Sequence, residues 1–184
     1  DDEITNNNQA SVKTEVKWQV PTEIGEGENP SIAVDPDGYI HIGYYTADMG
    51  GFELCYANNK TGTWQKEVIR IEDFINSIDL DIDSKGKVHM AYGQMNNLKY
   101  INDTLGSWSS PVILGDKMEE SRSVSLEMDS NNKVHICYLY SMWVNGELRY
   151  ITNESGTCTT NTLYDSTYNS MSMAMDKLDH LHIV

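Results

Sequence analysis

The chain has 184 residues, with 28 acidic against 13 basic side chains and a net charge of −15. A surface of that sign repels polyphosphate and anionic lipid, which argues against nucleic acid and membrane surfaces as partners. No apolar run approaches the roughly 20 residues a membrane-spanning helix needs, so membrane insertion is not expected; no basic-then-apolar leader opens the sequence, so any secretion signal is expected to lie outside it.

Residues 1–12 are polar and Asn-rich, with too little apolar surface to order themselves, and read as a disordered lead-in. Residues 13–184 read as one array, because the sequence repeats. His41, His89, His135 and His182 lie 48, 46 and 47 residues apart, each six residues after an aspartate: Asp35, Asp83, Asp129 and Asp176. Around each pair runs a short apolar stretch, a polar turn and an alternating stretch, as in Leu80-Asp-Ile-Asp-Ser-Lys-Gly-Lys-Val-His-Met-Ala-Tyr92. Such a pattern spells two antiparallel strands joined at the Asp turn. Gly38, Gly86 and Asn132 stand in that turn where a positive φ is cheap. A second half follows in the three full copies: Leu54-Cys-Tyr56, Leu98-Lys-Tyr100 and Leu148-Arg-Tyr150 lead, eight residues on, to Trp64, Trp108 and Cys158. Gly62, Gly106 and Gly156 mark the turn between these third and fourth strands.

Four short strands per repeat of this length predict an all-β array of four-stranded antiparallel blades, a β-propeller. The expected bounds are an outer strand at about 18–24, blades at about 31–70, 77–114 and 123–164, and a partial blade at about 170–184. Trp18–Ile24 matches the fourth-strand segments, but no Leu-x-Tyr pair precedes it near Asn8–Ala10. The ring is therefore expected to remain open within this sequence. An open blade edge invites pairing, so further blades or copies of the chain are expected to complete the ring.

The turns Thr61-Gly62-Thr63-Trp64 and Leu105-Gly106-Ser107-Trp108 resemble the Asp-box (BNR-type) turns of the sialidase-like superfamily, which carry Ser/Thr-x-Asp-x-Gly-x-x-Trp. Here Asn58, Asn102 or Thr152 takes the early polar position, and the Gly lies one residue closer to the Trp. The resemblance covers nearly all of residues 18–184 and implies a sialidase-like propeller. Members include glycosidases, lectin-like binders and scaffolds, so it implies no single activity. It also implies that a catalytic sialidase would carry an arginine triad clamping a carboxylate, a Tyr/Glu nucleophile pair and an Asp acid. Only Arg70, Arg122 and Arg149 are present, on an outer, an inner and a third strand. They are not expected to meet, and no complete catalytic set is expected.

The recurring His occurs once per blade, where four copies cannot converge on one substrate. It reads as a pin between its strand and the Asp turn or the next blade; Tyr44, Tyr92, Tyr138 and the repeat Trp read as packing between blades. Cys55, Cys137 and Cys158 fall at different repeat positions with no CxxC spacing, and read as small buried apolar residues. Three Asn-x-Ser/Thr triplets, at Asn59, Asn102 and Asn153, all fall in the third turn, where Asn serves the turn itself. Function in such arrays sits in loops on one face. Those loops hold Glu26, Glu28, Asp48, Glu72, Asp73, Asp116, Glu119 and Glu120, a negative field suited to a cation such as Ca²⁺ or to a basic partner; no other cofactor and no metal-ligand set is expected. Trp143 and Asn145 form a stacking ring and an amide suited to a sugar. With Asp48 and Arg122 they are the candidate ligand-binding residues. The sequence thus reads as a secreted or cell-surface, non-catalytic propeller that recognises glycan or protein. The rival reading is a fragment of a sialidase-like glycoside hydrolase or lyase with its catalytic residues mainly elsewhere.

Overall fold

A computed structural model describes residues 22–94, 97–115, 120–142, 145–156, 158–165 and 170–184. The lead-in and Trp18 lie outside the described residues, and residues 22–27 carry no strand. Strands β1 (Glu28–Val34), β2 (Ile40–Asp48), β3 (Gly51–Asn58) and β4 (Gln65–Glu72) pair in that order as one antiparallel sheet. The second sheet holds β5 (Ser77–Ile82), β6 (Val88–Gln94), β7 (Asn97–Asn102) and β8 (Val112–Leu114). The third holds β9 (Glu120–Met128), β10 (Val134–Met142), β11 (Asn145–Thr152) and β12 (Thr159–Asp165), and β13 (Met173–Met175) pairs with β14 (Leu181–Ile183). Each sequence repeat is one sheet. No ring closes among the described residues.

Every Asp turn is built alike. In β5–β6, Asp83 Oδ1 accepts from the N–H of Lys85 at 2.9 Å and of Lys87 at 2.8 Å. Asp35, Asp129 and Asp176 accept from the same two positions. A side-chain carboxylate thereby does the work of a tight backbone turn. The left-handed position is Gly38 or Gly86 in the first two turns, and Asn132 (φ 59) or Asp179 (φ 60) in the next two. The two side chains have a use. Asn132 Oδ1 accepts from Ser84 N at 2.8 Å, and Asp179 Oδ1 from Ser130 N at 2.9 Å, so each turn is tied to the turn of the preceding sheet.

The second sheet carries apolar side chains on both faces and is covered on both. Leu80, Val88, Met90 and Tyr92 of the second sheet pack on Tyr45, Leu54 and Tyr56 of the first. Leu126, Val134, Ile136 and Tyr138 of the third pack on Ala91 and Leu98 of the second. Gly43 lets β2 approach closely: a Cβ there would stand 2.8 Å from Leu80 Cδ2 and 2.9 Å from Met90 Cε. Trp108 crosses between sheets, its ring edge-on to Tyr56 at 5.2 Å and its Nε1 donating to Glu67 at 2.9 Å.

The sheets meet along their first strands, β1 against β5, β5 against β9 and β9 against β13. These strands are sheet edges, so every second N–H lacks a ladder partner and must find one elsewhere. The preceding sheet supplies it. Ser31 Oγ accepts from Leu80 N at 3.1 Å, Asp79 Oδ2 from Leu126 N at 2.8 Å, and Ser125 Oγ from Met173 N at 3.2 Å. One turn-ward step along, Asp81 Oδ2 accepts from Met128 N at 2.8 Å. Asp79 also holds Ser31 Oγ and Ser125 Oγ, and so touches three successive sheets.

Removing Asp79 leaves the Leu126 edge amide and the hydroxyls of Ser31 and Ser125 without their acceptor, while Leu80 N keeps Ser31 Oγ. Asp79→Ala is expected to lower unfolding stability by about 2–4 kcal/mol in urea melts. A loss no larger than that of an exposed control such as Asp37→Ala would contradict this role.

Candidate functional site

The recurring histidines stay apart, one per sheet. His41 Nε2 lies 3.2 Å from Asp35 Oδ2, and its Nδ1 lies 2.5 Å from Tyr56 OH on β3. His89 pairs with Tyr100 at 2.5 Å and His135 with Tyr150 at 2.6 Å. Each of these imidazoles thus bonds the third strand of its own sheet; His41 also bonds its turn Asp, while the Nε2 atoms of His89 and His135 stand 3.6 Å from theirs. In the two-stranded sheet His182 Nε2 lies 3.3 Å from Asp176 Oδ2. Burial depresses His41 and His89, although the neighbouring carboxylates pull the other way. Burial opposes ionisation of Asp35 as well, but the Tyr39 N–H, His41 and Lys60 outweigh it and hold the carboxyl at about 2.

At the opposite end lie the β2–β3, β6–β7 and β10–β11 hairpins and the links between sheets. The acidic face expected there is altered at one position. Glu72 is 9% exposed and bound by Arg70 Nε, Lys99 Nζ and Tyr92 OH at 2.8 Å each and Gln94 Nε2 at 2.7 Å. Burial works against its charge, yet those donors keep its carboxyl below the usual range. It joins the first sheet to the second and adds nothing to an open field. Residues 116–119 lie outside the described residues.

Of the candidate ligand residues, Asp48 ends β2 and is exposed, its Oδ1 accepting from Gly50 N at 2.6 Å across the hairpin. Arg122 lies in β9 and Asn145 opens β11, on either side of β10 in the third sheet. Trp143 lies outside the described residues. Register gathers other groups at that end of the third sheet: Tyr140 is paired with Ser121 and with Glu147. Arg149 lies over the Tyr140 ring at 4.1 Å and bonds Glu147 through Nε at 2.8 Å. Asp48 belongs to the first sheet, with the second between. Arg70 and Arg149 sit in different sheets, each on its own carboxylate, so they do not form a common clamp.

A further group of acids was not anticipated. Asp79, Asp81 and Glu127 lie on successive inner strands, and burial raises all three. Glu127 is pushed up to about 7, by burial first and then by the charges of Asp81 and Asp79, against the Met175 N–H it accepts. Their signal was present in the sequence. Ser31, Asp79, Ser125 and Ser172 each stand four residues before the turn Asp, a polar position kept in every repeat. A cavity of about 340 Å³ lies between residues 22–27 and the outer side of the first sheet, against Pro30, Ile42 and Tyr44. That side carries Ile32 and Val34, 65% and 61% exposed, where the same repeat positions in the second sheet are packed on a neighbour. The cavity lies on that exposed apolar side of the first sheet.

No family model matches the chain, and no curated protein matches it by sequence. Solved structures do match. A polysaccharide lyase, Uly1, superposes with a TM-score of 0.55 at 10% identity, over 80% of this chain and 44% of its own. An endo-arabinase from Bacteroides thetaiotaomicron gives 0.54 at 11% identity, over 90% and 73%. A GH62 hydrolase in complex with xylotriose gives 0.54 at 11% identity, over 84% and 63%. The sheets are propeller blades. This likeness is one of fold, which carries many chemistries, and the chain spans less than two thirds of the lyase and of the xylotriose-bound hydrolase.

Glu127 sets a pH dependence. Its carboxyl is protonated in the fold but ionised in the unfolded chain between its ordinary 4.5 and about 7. Stability from this group therefore falls as pH rises through that window and levels off above it. His41 and His89 act in the opposite sense, since the unfolded chain alone takes up their protons on acidification. Comparison with Glu127→Gln leaves those terms unchanged. Melting curves from pH 4.5 to 8 should show the wild type losing ground to the variant as pH rises; a constant difference would contradict the assignment.

Proposed function

We propose that these blades form a glycan-binding module without a catalytic set of its own, acting outside the cell or at its surface. The observation that carries the reading is the loop end of the third blade, where Arg122, Tyr140, Asn145, Glu147 and Arg149 belong to three adjacent strands. Planar guanidinium, aromatic ring, amide and carboxylate are the groups that hold sugar hydroxyls and ring faces. The sugar-related names of the structural neighbours support the ligand class. The inner acids support the non-catalytic part of the reading: Asp79 and Asp81 spend their oxygens on strand amides.

In the same reading the ring is completed by a further blade on the apolar side of the first, from a second copy or from additional repeats. The exposed Ile32 and Val34 favour that arrangement.

A glycan array followed by calorimetry on the best ligand tests the module. Asn145→Ala is expected to weaken binding about ten-fold, close to 1.4 kcal/mol, while Asp48→Ala changes it little. Absence of any glycan ligand, or equal sensitivity at both positions, would overturn the proposal.

A further inference from the structure

The turn end of the third blade differs from its copies in a way that packing does not require. His135 is 3% exposed, and its Nδ1 is engaged by Tyr150 OH at 2.6 Å. Its Nε2 is buried with no hydrogen-bond partner, 3.6 Å from Asp129 Oδ2. Asp129 Oδ1 is occupied by the N–H groups of Asn131 and Lys133, which leaves Oδ2 to face the imidazole. Glu154, in the β11–β12 turn, brings a carboxylate to the same place: one ligand atom from each of Asp129, His135 and Glu154 lies within 4.8 Å of the others.

The first blade shows what this corner accommodates. Lys60 occupies the position of Glu154, one residue after the turn Asn, and its ammonium stands 3.3 Å from Asp35 Oδ2 beside His41. The second blade has Thr104 there, and its His89 Nε2 is likewise buried without a hydrogen-bond partner, 3.6 Å from Asp83, so the Glu154 carboxylate is what sets the third blade apart. Where the first blade places its own cation, the third places a carboxylate.

We propose that Asp129, His135 and Glu154 bind a divalent transition-metal ion of the zinc class. Carboxylate oxygen and imidazole nitrogen are both zinc ligands, and three of them leave a fourth position open. The outer contacts suit it: Tyr150 OH holds the imidazole through Nδ1, and backbone amides hold the Asp129 carboxylate, as second-shell partners do at metal centres. The ion ties the β9–β10 turn to the β11–β12 turn, as Lys60 ties the corresponding turns of the first blade.

The test uses untagged, metal-stripped protein in a Cys158→Ser background, since that thiol is exposed and thiolates are themselves zinc ligands. Calorimetry with zinc should give one site per chain, and cobalt should give the visible absorption of a low-coordinate ion. Glu154→Gln should weaken binding at least about ten-fold. Glu154→Lys should abolish it while keeping the melting temperature of the metal-free protein, and Thr104→Glu should add a second, weaker equivalent in the second blade. Absence of zinc binding at millimolar concentration, or undiminished one-site binding in both Glu154 variants, would overturn the proposal.

Discussion

The structure depends on one hydrogen-bonding problem and its solution. Each blade turns the free edge of its first strand toward the middle of the array, where water cannot be counted on to satisfy it. An unmet buried amide costs about 1–3 kcal/mol, and each blade has more than one. The acceptor comes from the blade before it: Ser31 for Leu80, Asp79 for Leu126, Ser125 for Met173, with Asp81 serving Met128. A residue serving the next blade explains why the repeat keeps a polar side chain in the middle of a buried strand. It also explains the acids. Burial raises these carboxyls, and the charges of Asp81 and Asp79 add to it at Glu127, which is pushed up to about 7.

Around that seam the blades are fixed at both ends by different means. At the turn end, Asn132 and Asp179 bond to the preceding turn, while the first blade relies on Lys60, which bonds Asp35 and the Gly86 carbonyl. Pro36 has no N–H and Gly86 no side chain, so that pair of turns has to be joined some other way. At the loop end, Glu72 gathers Arg70 and Lys99 between the first two blades. Copies of one motif are therefore not joined identically. Where one copy departs from its siblings, as Glu154 does from Lys60, the departure marks chemistry that the fold itself does not need.

The fold was legible because its signals are periodic. The Asp-to-His spacing, the alternation after it and the Leu-x-Tyr with its Gly turn each became an observed strand or turn. The Tyr of that third strand was seen as a strand marker, but its bond to the blade's own His was not, because a hydrogen bond across two strands leaves no spacing rule. The inner-strand polar residues were visible as letters and not understood, since their partners lie about 47 residues on, in another sheet. The site was much less legible. Asp48 ends β2 of the first sheet, while Arg122 and Asn145 flank β10 of the third, and a single sequence does not show that separation. Glu72 was counted among open charges because burial by Lys99, Tyr92 and Gln94 depends on two blades meeting.

The seam is tested most directly by amide hydrogen exchange at Leu80, Leu126, Met128 and Met173. These amides sit on strand edges and would exchange quickly if exposed. They should be protected to the same degree as ladder amides of β6 and β10, and Asp79→Ala should release Leu126 selectively. Exchange of all four at the rate of loop amides in the wild-type protein would contradict the account.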